Sequence, residues 1–309
     1  MQVLADFPWE NGRRWVDELR RQAPAHAIHV WPDTPGLDRI DIAVVWTPSA
    51  GFFDEMTALR AVIVPGAGVD QLFRGCTSFP DVPIIRLADP VMATRMAEYV
   101  LAMVLGHHRE FGRYRAQQQR AHWARHFHRD PGDVRIGILG MGMMGTRVAE
   151  YLSAIGYTVT GWSRSDKAIP DVETVAGEAA LMPLIAQSDV LICLLPLTEA
   201  TRGILNAAAF EALPEGALVI NAARGGHLVV PDLLAGLERG RPAAAVLDVF
   251  EDEPLPAASP LWRHPAVTVT PHIASLSNPV TGVRQIVRAL ERIEAGAALD
   301  HVVDRRAGY

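Results

Sequence analysis

The sequence lacks the features that mark several large classes of protein. Its two cysteines, Cys76 and Cys193, lie far apart and without the spacing of a metal site, so we expect no bound metal. Cys193 stands in an apolar run, which favours a buried thiol. No apolar stretch approaches the length of a membrane span, and the first residues lack the basic and apolar segments of a signal peptide. We therefore expect a cytoplasmic protein with no membrane partner.

Lysine is scarce as well, and acidic residues outnumber basic ones by 35 to 29. The formal net charge is −6, and Lys167 is the only lysine in the chain. This charge gives no reason to expect nucleic acid or an anionic membrane surface as a partner. The 309 residues are 49% apolar and 21% charged, which is typical of a globular protein long enough to form two domains with full cores.

What the sequence does contain is a strand, a glycine-rich turn and a helix in direct succession over residues 135–156. An apolar run at 136–139 leads into Gly140, Gly142 and Gly145, which form a G-x-G-x-x-G pattern. An amphipathic helix pattern follows, and Gly156 stands where its C-terminal glycine belongs. The apolar face of this helix pattern consists of Val148, Leu152 and Ile155. Together the three features are typical of a dinucleotide-binding fingerprint.

Each glycine has its own role in such a turn. Gly140 allows the tight turn, Gly142 lets the backbone approach a pyrophosphate, and Gly145 lets the helix pack close to the strand. The pyrophosphate would lie at the helix N-terminus, on the backbone N–H groups around Met143 and Met144, where the helix dipole favours an anion.

The end of the next strand indicates which dinucleotide binds. Folds that prefer NAD place an acidic residue about 20 positions after the fingerprint, where it bonds the ribose 2′-OH. Here Ser163 and Arg164 stand at the strand tip and can hydrogen-bond a 2′-phosphate, with Lys167 adding charge. We therefore expect NADP(H) in preference to NAD(H). The alternative is that Arg164 lies on the surface and that Asp166 reaches back to serve as the acid.

Short apolar runs alternate with helical or polar segments through most of the chain. This alternation predicts parallel sheets covered by helices on both faces, and hence an α/β fold with two doubly wound domains. The expected strands of the first domain are 3–5, 27–30, 42–46, 61–64 and 84–87, and those of the second are 136–139, 158–162, 190–194, 218–221, 244–247 and 267–270.

Two segments lie between these sets of strands. Residues 91–110 have a long helix pattern, and residues 111–129 are polar, forming either a solvated connector or an arm that packs on another subunit. A last helix pattern, 278–296, is too short for a separate domain and can return to the first one. The expected domains are a discontinuous substrate-binding domain, residues 1–99 and 277–309, and a dinucleotide-binding domain, residues 100–276.

Two loops of the first domain carry unusual residues at strand ends. Residues 47–51 follow one strand and residues 65–70 follow the next. Gly66 and Gly68 in the second loop expose backbone N–H groups, which suits a small anion. A plain turn between strand and helix is the equally open alternative.

Three strand ends of the second domain carry chemically active side chains. The strand at 218–221 leads to Arg224, the strand at 244–247 leads to several carboxylates within 248–253, and the strand at 267–270 leads to His272. Because the carboxyl ends of parallel strands share one edge, where ligands bind, we expect these groups to converge beside a nicotinamide.

This set suits the reduction of a 2-oxo acid. A histidine can protonate the carbonyl oxygen near neutral pH. A partner carboxylate would fix its tautomer and favour its protonated form. An arginine would bind the substrate carboxylate and polarise the carbonyl. Taken singly, each residue also has an ordinary explanation as a surface charge or a helix-entry histidine.

The chain resembles the D-2-hydroxyacid dehydrogenase family over nearly its whole length. Three motifs match in order and spacing: NAARG at 221–225, LDVF at 247–250 with Glu253-Pro254, and TPHIAS at 270–275. Trp46, the GAGVD loop at 66–70 and the ending VDRRAGY at 303–309 are most similar to the glyoxylate/hydroxypyruvate reductase A branch.

The resemblance implies a Rossmann-type cofactor domain, a flavodoxin-like substrate domain and a homodimer built on the cofactor domains. It implies NADPH-dependent reduction of a small 2-oxo acid, glyoxylate or hydroxypyruvate, to the 2-hydroxy acid. The alternatives are a dehydrogenase for a bulkier 2-oxo acid and a nucleotide-sensing protein, since this fold also occurs in transcriptional corepressors.

The resemblance also assigns roles to residues. Arg224 binds substrate, Glu253 tunes the histidine and His272 is the acid/base, while the amides of Ala67 and Gly68 hold the substrate carboxylate and Trp46 lines the pocket. One departure is Arg95, where the family pattern leads us to expect Gln. Further cofactor contacts are expected at the same strand ends, from Leu195, Pro196, Ala222, Ala223, Asp248 and Ala274.

Overall fold

A computed structural model describes residues 1–34, 36–76 and 79–305 of the chain. The chain forms two compact units, Met1–Met92 with Ser277–Tyr309, and Ala93–Leu276. The expected boundary at 99–100 instead lies at 92–93, inside a helix, because that helix packs its later apolar residues into the second unit's core. Of the ending used for the resemblance, residues 306–309 lie outside the described residues.

The first unit contains a five-stranded sheet. Its strands lie in the order β2-β1-β3-β4-β5, and every pairing is parallel. The central strands β3 and β4 are fully buried apolar runs, as expected for a sheet covered on both faces. The elements are β1 (Gln2–Asp6), α1 (Gly12–Gln22), β2 (Ala27–Val30), β3 (Ile42–Val45), β4 (Ala61–Val64), α2 (Asp70–Gly75) and β5 (Ile84–Arg86).

The second unit contains a seven-stranded parallel sheet in the order β12-β11-β10-β9-β6-β7-β8. Its strand order reverses between β6 and β9, the point at which open α/β sheets bind ligands. The elements are α3 (Pro90–His108), α4 (Phe111–Gln119), β6 (Arg135–Leu139), α5 (Met143–Ala154), β7 (Thr158–Ser163), β8 (Glu173–Ala176), α6 (Glu178–Gln187), β9 (Val190–Cys193), α7 (Ala207–Ala212), β10 (Leu218–Asn221), α8 (Val230–Glu238), β11 (Ala244–Leu247) and β12 (Val267–Val269).

Two details of the second unit differ from expectation. Strand β8 was not expected, because it lies at the sheet edge and its half-exposed residues form no apolar run. Ile155 was expected on the buried face of α5 but is 40% exposed, since the helix ends at Ala154 and Ile155 occupies its C-cap. The other predicted residues of that face, Val148 and Leu152, are completely buried.

The last helix, α9 (Pro279–Glu294), belongs to the first unit. Its apolar face, with Val283, Ile286 and Leu290, packs in the same core as Trp15 and Leu19 of α1. Beyond it, the N–H of Val303 donates to the carbonyl of Ile84 at 2.8 Å, so the tail runs along β5. Within the described part of the chain, no helix is both long enough and apolar enough to cross a membrane.

Candidate active site

The turn between β6 and α5 has the backbone shape that a dinucleotide requires. Gly140 has a φ of +104°, and a Cβ there would lie 2.8 Å from the Leu194 carbonyl oxygen. A Cβ on Gly145 would lie 1.9 Å from the carbonyl oxygen of Gly140. Neither position accepts a side chain, because the turn is packed against β9 on one side and against its own helix on the other.

Gly142 differs from its two neighbours. A Cβ built on it meets nothing within 4 Å, so the turn is open at this residue. Met143 and Met144 follow as the first residues of α5, which has no side-chain cap at its N-terminus. An open glycine beside uncapped helix amides fits a pyrophosphate, so these residues are suited to hold a dinucleotide.

The tip of β7 carries the residues expected at the ribose. Arg164 and Lys167 are exposed, whereas Ser163 is 8% exposed and its hydroxyl donates to the Ser165 carbonyl at 2.7 Å. In this conformation the Ser163 hydroxyl holds the turn that contains Arg164. No carboxylate stands at the strand tip, and Asp166 lies exposed further along the turn.

The loop after β10 positions Arg224. Its backbone carbonyl accepts the Asn221 side-chain amide at 2.9 Å and lies 3.1 Å from Nδ1 of His227, and both of these residues are fully buried. The other ring nitrogen of His227, Nε2, lies 3.2 Å from the carbonyl oxygen of Pro196. His227 thus joins the loop after β9 to the Arg224 loop, and sequence analysis missed it because its motif gives no separate signal. The residues expected to contact the cofactor here, Leu195, Ala222 and Ala223, are all buried.

Glu253 and His272 form the central pair of the site. Nδ1 of His272 lies 2.8 Å from Oε2 of Glu253, and Oε1 of Glu253 accepts the N–H of Phe250 at 2.9 Å. Burial by itself would raise the pKa of Glu253, but the bonds from His272 and Phe250 and the charges of His272 and Arg224 outweigh it, so the pKa lies below its ordinary value. The carboxylate is therefore ionised at neutral pH.

Close packing brings Arg224 to this pair. A Cβ on the adjacent Gly225 would lie 1.9 Å from the Phe250 carbonyl carbon, so the two loops touch through their backbones. The charge of Arg224 is one of the causes that lower the Glu253 pKa, which places the guanidinium within electrostatic reach of the carboxylate. The three expected groups therefore meet at the carboxyl edge of the sheet.

Asp248 lies beneath the His272 loop and is only 1% exposed. Its carboxylate accepts the N–H groups of Ile273 and Ala274, each at 2.9 Å, and the hydroxyl of Thr270 at 2.6 Å. With three donors already bound, the carboxylate retains little capacity for an expected cofactor contact. The hydroxyl of Thr270 thus helps to hold the His272 loop on Asp248, a role that the sequence motif did not indicate.

In the first unit, the expected substrate loop packs on Trp46. Gly66 lies so close that a Cβ there would be 2.3 Å from Cζ3 of the indole, and Ala67 and Gly68 follow half-exposed. Trp9 meets Trp46 edge-on with ring centroids 5.9 Å apart. Trp46 is thus held between the glycine loop and a second tryptophan that sequence analysis did not single out.

Two further expectations concern Arg95 and metals. Nη1 of Arg95 donates to the carbonyl oxygen of Leu276 at 2.7 Å, so this departure from the family pattern ties the start of α3 to the end of the His272 loop. Among the residues that the structure describes, no group of three or more His, Cys, Asp or Glu side chains is arranged to hold a metal ion.

The chain thus contains two α/β units with parallel sheets. One of them has a glycine fingerprint at its switch point, and a histidine, a carboxylate and an arginine lie along the same edge of its sheet. These features define a nicotinamide-dependent oxidoreductase. The family model for the NAD-binding domain of D-isomer specific 2-hydroxyacid dehydrogenases matches residues 101–274. The chain belongs to this family, as the resemblance predicted.

Solved structures agree with this assignment. The D-isomer specific 2-hydroxyacid dehydrogenase of Xanthobacter autotrophicus Py2, in complex with NADPH and MES, is 39% identical over 99% of both chains, with a TM-score of 0.94. The NADPH-dependent glyoxylate/hydroxypyruvate reductase of Sinorhizobium meliloti, in complex with NADP and sulfate, is 37% identical over 100% of this chain and 99% of its own, with a TM-score of 0.93.

Proposed function

We propose that this enzyme reduces a small 2-oxo acid, glyoxylate or hydroxypyruvate, to the corresponding 2-hydroxy acid with NADPH. The observation that carries the proposal is the 2.8 Å contact between His272 and Glu253, with the Arg224 charge close to the same carboxylate. The substrate class follows the similarity to the S. meliloti enzyme, whose name gives that activity.

The three side chains have separate tasks. Glu253 accepts the proton on Nδ1 of His272 in a hydrogen bond, which fixes the tautomer and leaves Nε2 to face the substrate. Arg224 binds the substrate carboxylate and polarises the adjacent carbonyl. When bound, the nicotinamide cofactor supplies the hydride that adds to the carbonyl carbon. His272 then gives its Nε2 proton to the carbonyl oxygen, and the product is the neutral alcohol.

The preference for NADPH rests on the tip of β7. Arg164 is exposed there with Lys167 three residues on, and no acidic side chain stands at the strand tip to repel a 2′-phosphate. The structures of relatives that contain NADPH or NADP support the same choice. To donate a hydrogen bond to the 2′-phosphate, the Ser163 hydroxyl must first give up its hydrogen bond to the Ser165 carbonyl.

In this proposal, residues of the first unit limit the size of the substrate. We assign the backbone amides of Ala67 and Gly68 to the substrate carboxylate and Trp46 to the pocket wall. The indole has little freedom to move, because Gly66 and Trp9 contact it from two directions. A rigid wall of this kind suits a two- or three-carbon acid.

We also propose a homodimer that is built on the cofactor-binding unit. The arm that follows α3, residues 111–129, exposes Trp123 by 92% and leaves Phe127 fully exposed. Two large aromatic side chains this exposed on one segment are typical of an interface, and a second copy of this chain is the proposed occupant. A reducing cytoplasm is the proposed location.

The test is the oxidation of NADPH, and separately of NADH, by the purified protein with glyoxylate, hydroxypyruvate and a series of larger 2-oxo acids. We expect rapid turnover of NADPH with the two small acids. Efficiency that rises with side-chain size would instead support the dehydrogenase for bulkier acids. Binding of NADPH without turnover of any acid would contradict the proposal and support a nucleotide sensor.

A further inference from the structure

His272 has a backbone conformation that needs support from its surroundings. Its φ is +54°, in the left-handed region that residues other than glycine seldom adopt. Its N–H donates to the Asp248 carbonyl at 2.8 Å and to the Thr270 carbonyl at 3.1 Å. Such strained residues persist at active sites when neighbouring groups fix them. The groups that fix His272 therefore determine where its ring points.

Asp248 is the centre of that support. Its side-chain oxygens bind the backbone of Ile273 and Ala274, the two residues directly after His272, and the hydroxyl of Thr270, two residues before it. The carboxylate is buried, so these bonds are shielded from water. The loop on both sides of the histidine is thus tied to one buried charge.

A tyrosine from a distant helix completes the chain of hydrogen bonds. The hydroxyl of Tyr99, on α3, lies 2.7 Å from Oγ1 of Thr270. Thr270 has one hydroxyl proton, and its Oγ1 lies 2.6 Å from Oδ1 of Asp248, a carboxylate oxygen that can only accept. Thr270 must therefore accept from Tyr99, and the order of donation is Tyr99 to Thr270 to Asp248.

The electrostatic environment keeps Tyr99 in the donating form. Burial raises the pKa of Tyr99 to about 12, the bond to Thr270 opposes this shift, and the charge of Asp248 adds to it. The phenol therefore carries its proton at every pH at which the enzyme is expected to work.

We propose that Tyr99 is a positioning residue for His272, acting through Thr270 and Asp248 to hold the loop that aims the imidazole at the substrate. This role rests on the proposed function for its kinetic effect, although the structural support does not depend on it. Neither the family motifs nor the fingerprint includes Tyr99.

Three variants test the role, with Tyr157→Phe as the matched control. Tyr157 is buried in the same unit and bonds His108 through its hydroxyl at 2.7 Å, away from the His272 loop. We expect Tyr99→Phe to lower kcat with glyoxylate roughly 5- to 20-fold while the KM for NADPH changes less than about 2-fold. Thr270→Val should lower kcat at least as much, and Thr270→Ser, which keeps the hydroxyl, should restore most of it. Tyr157→Phe should keep the wild-type kcat.

A kcat of Tyr99→Phe within about 2-fold of wild type, or an equal loss in Tyr157→Phe, would overturn the positioning role. If the wild-type enzyme reduces no 2-oxo acid, the proposed function has failed, and a crystal structure of Tyr99→Phe decides the positioning role alone. Loss of the His272–Glu253 contact or of the positive φ at residue 272 would support it, and an unchanged loop would refute it.

Discussion

Nδ1 of His272 lies 2.8 Å from Oε2 of Glu253, and the histidine that makes this contact has a left-handed backbone. The side chains of His272 and Glu253 are 39% and 32% exposed, so the pair is partly open to solvent and partly packed against the protein. This geometry leaves Nε2 as the only ring nitrogen of His272 that can meet a substrate.

Replacement of His272 by Asn should remove the acid without disturbing the loop. Asn adopts the left-handed region more readily than other non-glycine residues, so the backbone can stay as it is. We expect kcat for reduction to fall about 10²- to 10⁴-fold with little change in the KM for NADPH. His301 is the matched control, because its φ is +56° and it lies in the tail of the first unit. A comparable loss of kcat in His301→Asn would contradict the specific role of His272.

Replacement of Glu253 by Gln should lower kcat by roughly 10- to 100-fold, because a neutral amide stabilises the charged histidine less well. The Glu253 pKa lies below its ordinary value of 4.5. The carboxylate is therefore ionised above that pH, and its negative charge beside His272 is lost as the pH falls through the lowered pKa. The wild-type rate profile should have an acid limb below about pH 4.5 that the Gln variant lacks.

Glu251→Gln is the control for this profile. Glu251 is 57% exposed and pairs with Arg202 rather than with His272. Its variant should keep both the wild-type kcat and the acid limb. An acid limb that persists in Glu253→Gln would assign that limb to another group.

Replacement of Arg164 by Ala should weaken NADPH binding selectively. A lost charge-assisted bond to the 2′-phosphate is expected to raise the KM for NADPH about 10- to 100-fold, whereas the KM for NADH should change little. Arg147→Ala is the control, since Arg147 is also partly exposed but pairs with Glu150 on α5. Equal increases in the two KM values for Arg164→Ala would show that the arginine does not read the phosphate.

Replacement of Gly66 by Ala should displace Trp46. The new Cβ would be 2.3 Å from the indole, so the ring or the loop must move. We expect the KM for glyoxylate to rise roughly 10-fold or more and larger 2-oxo acids to be reduced relatively better. Gly106→Ala is the control, because a Cβ there meets nothing within 4 Å. A substrate-size profile unchanged in Gly66→Ala would remove Trp46 from the pocket wall.

Local pattern was enough to predict the architecture. Parallel strands that are buried on both faces have short apolar sequences, and β3, β4 and β9 consist entirely of such residues. The edge strand β8 was missed for the same reason, because its exposed residues need not be apolar. The glycine turn was readable because its backbone geometry admits no side chain at Gly140 or Gly145.

The sequence by itself also determined that Arg224, a carboxylate and His272 follow strands of one parallel sheet, since the ends of such strands share an edge. Strand order alone left open which of the acids between 248 and 253 takes which task, and only the family resemblance singled out Glu253. The tertiary structure separates these acids by their contacts. Asp248 is buried beneath the loop, Glu251 faces Arg202, and Glu253 reaches His272. The Tyr99–Thr270 bond joins residues 171 positions apart. No local pattern encodes such a contact, because it exists only after α3 has packed on the folded sheet.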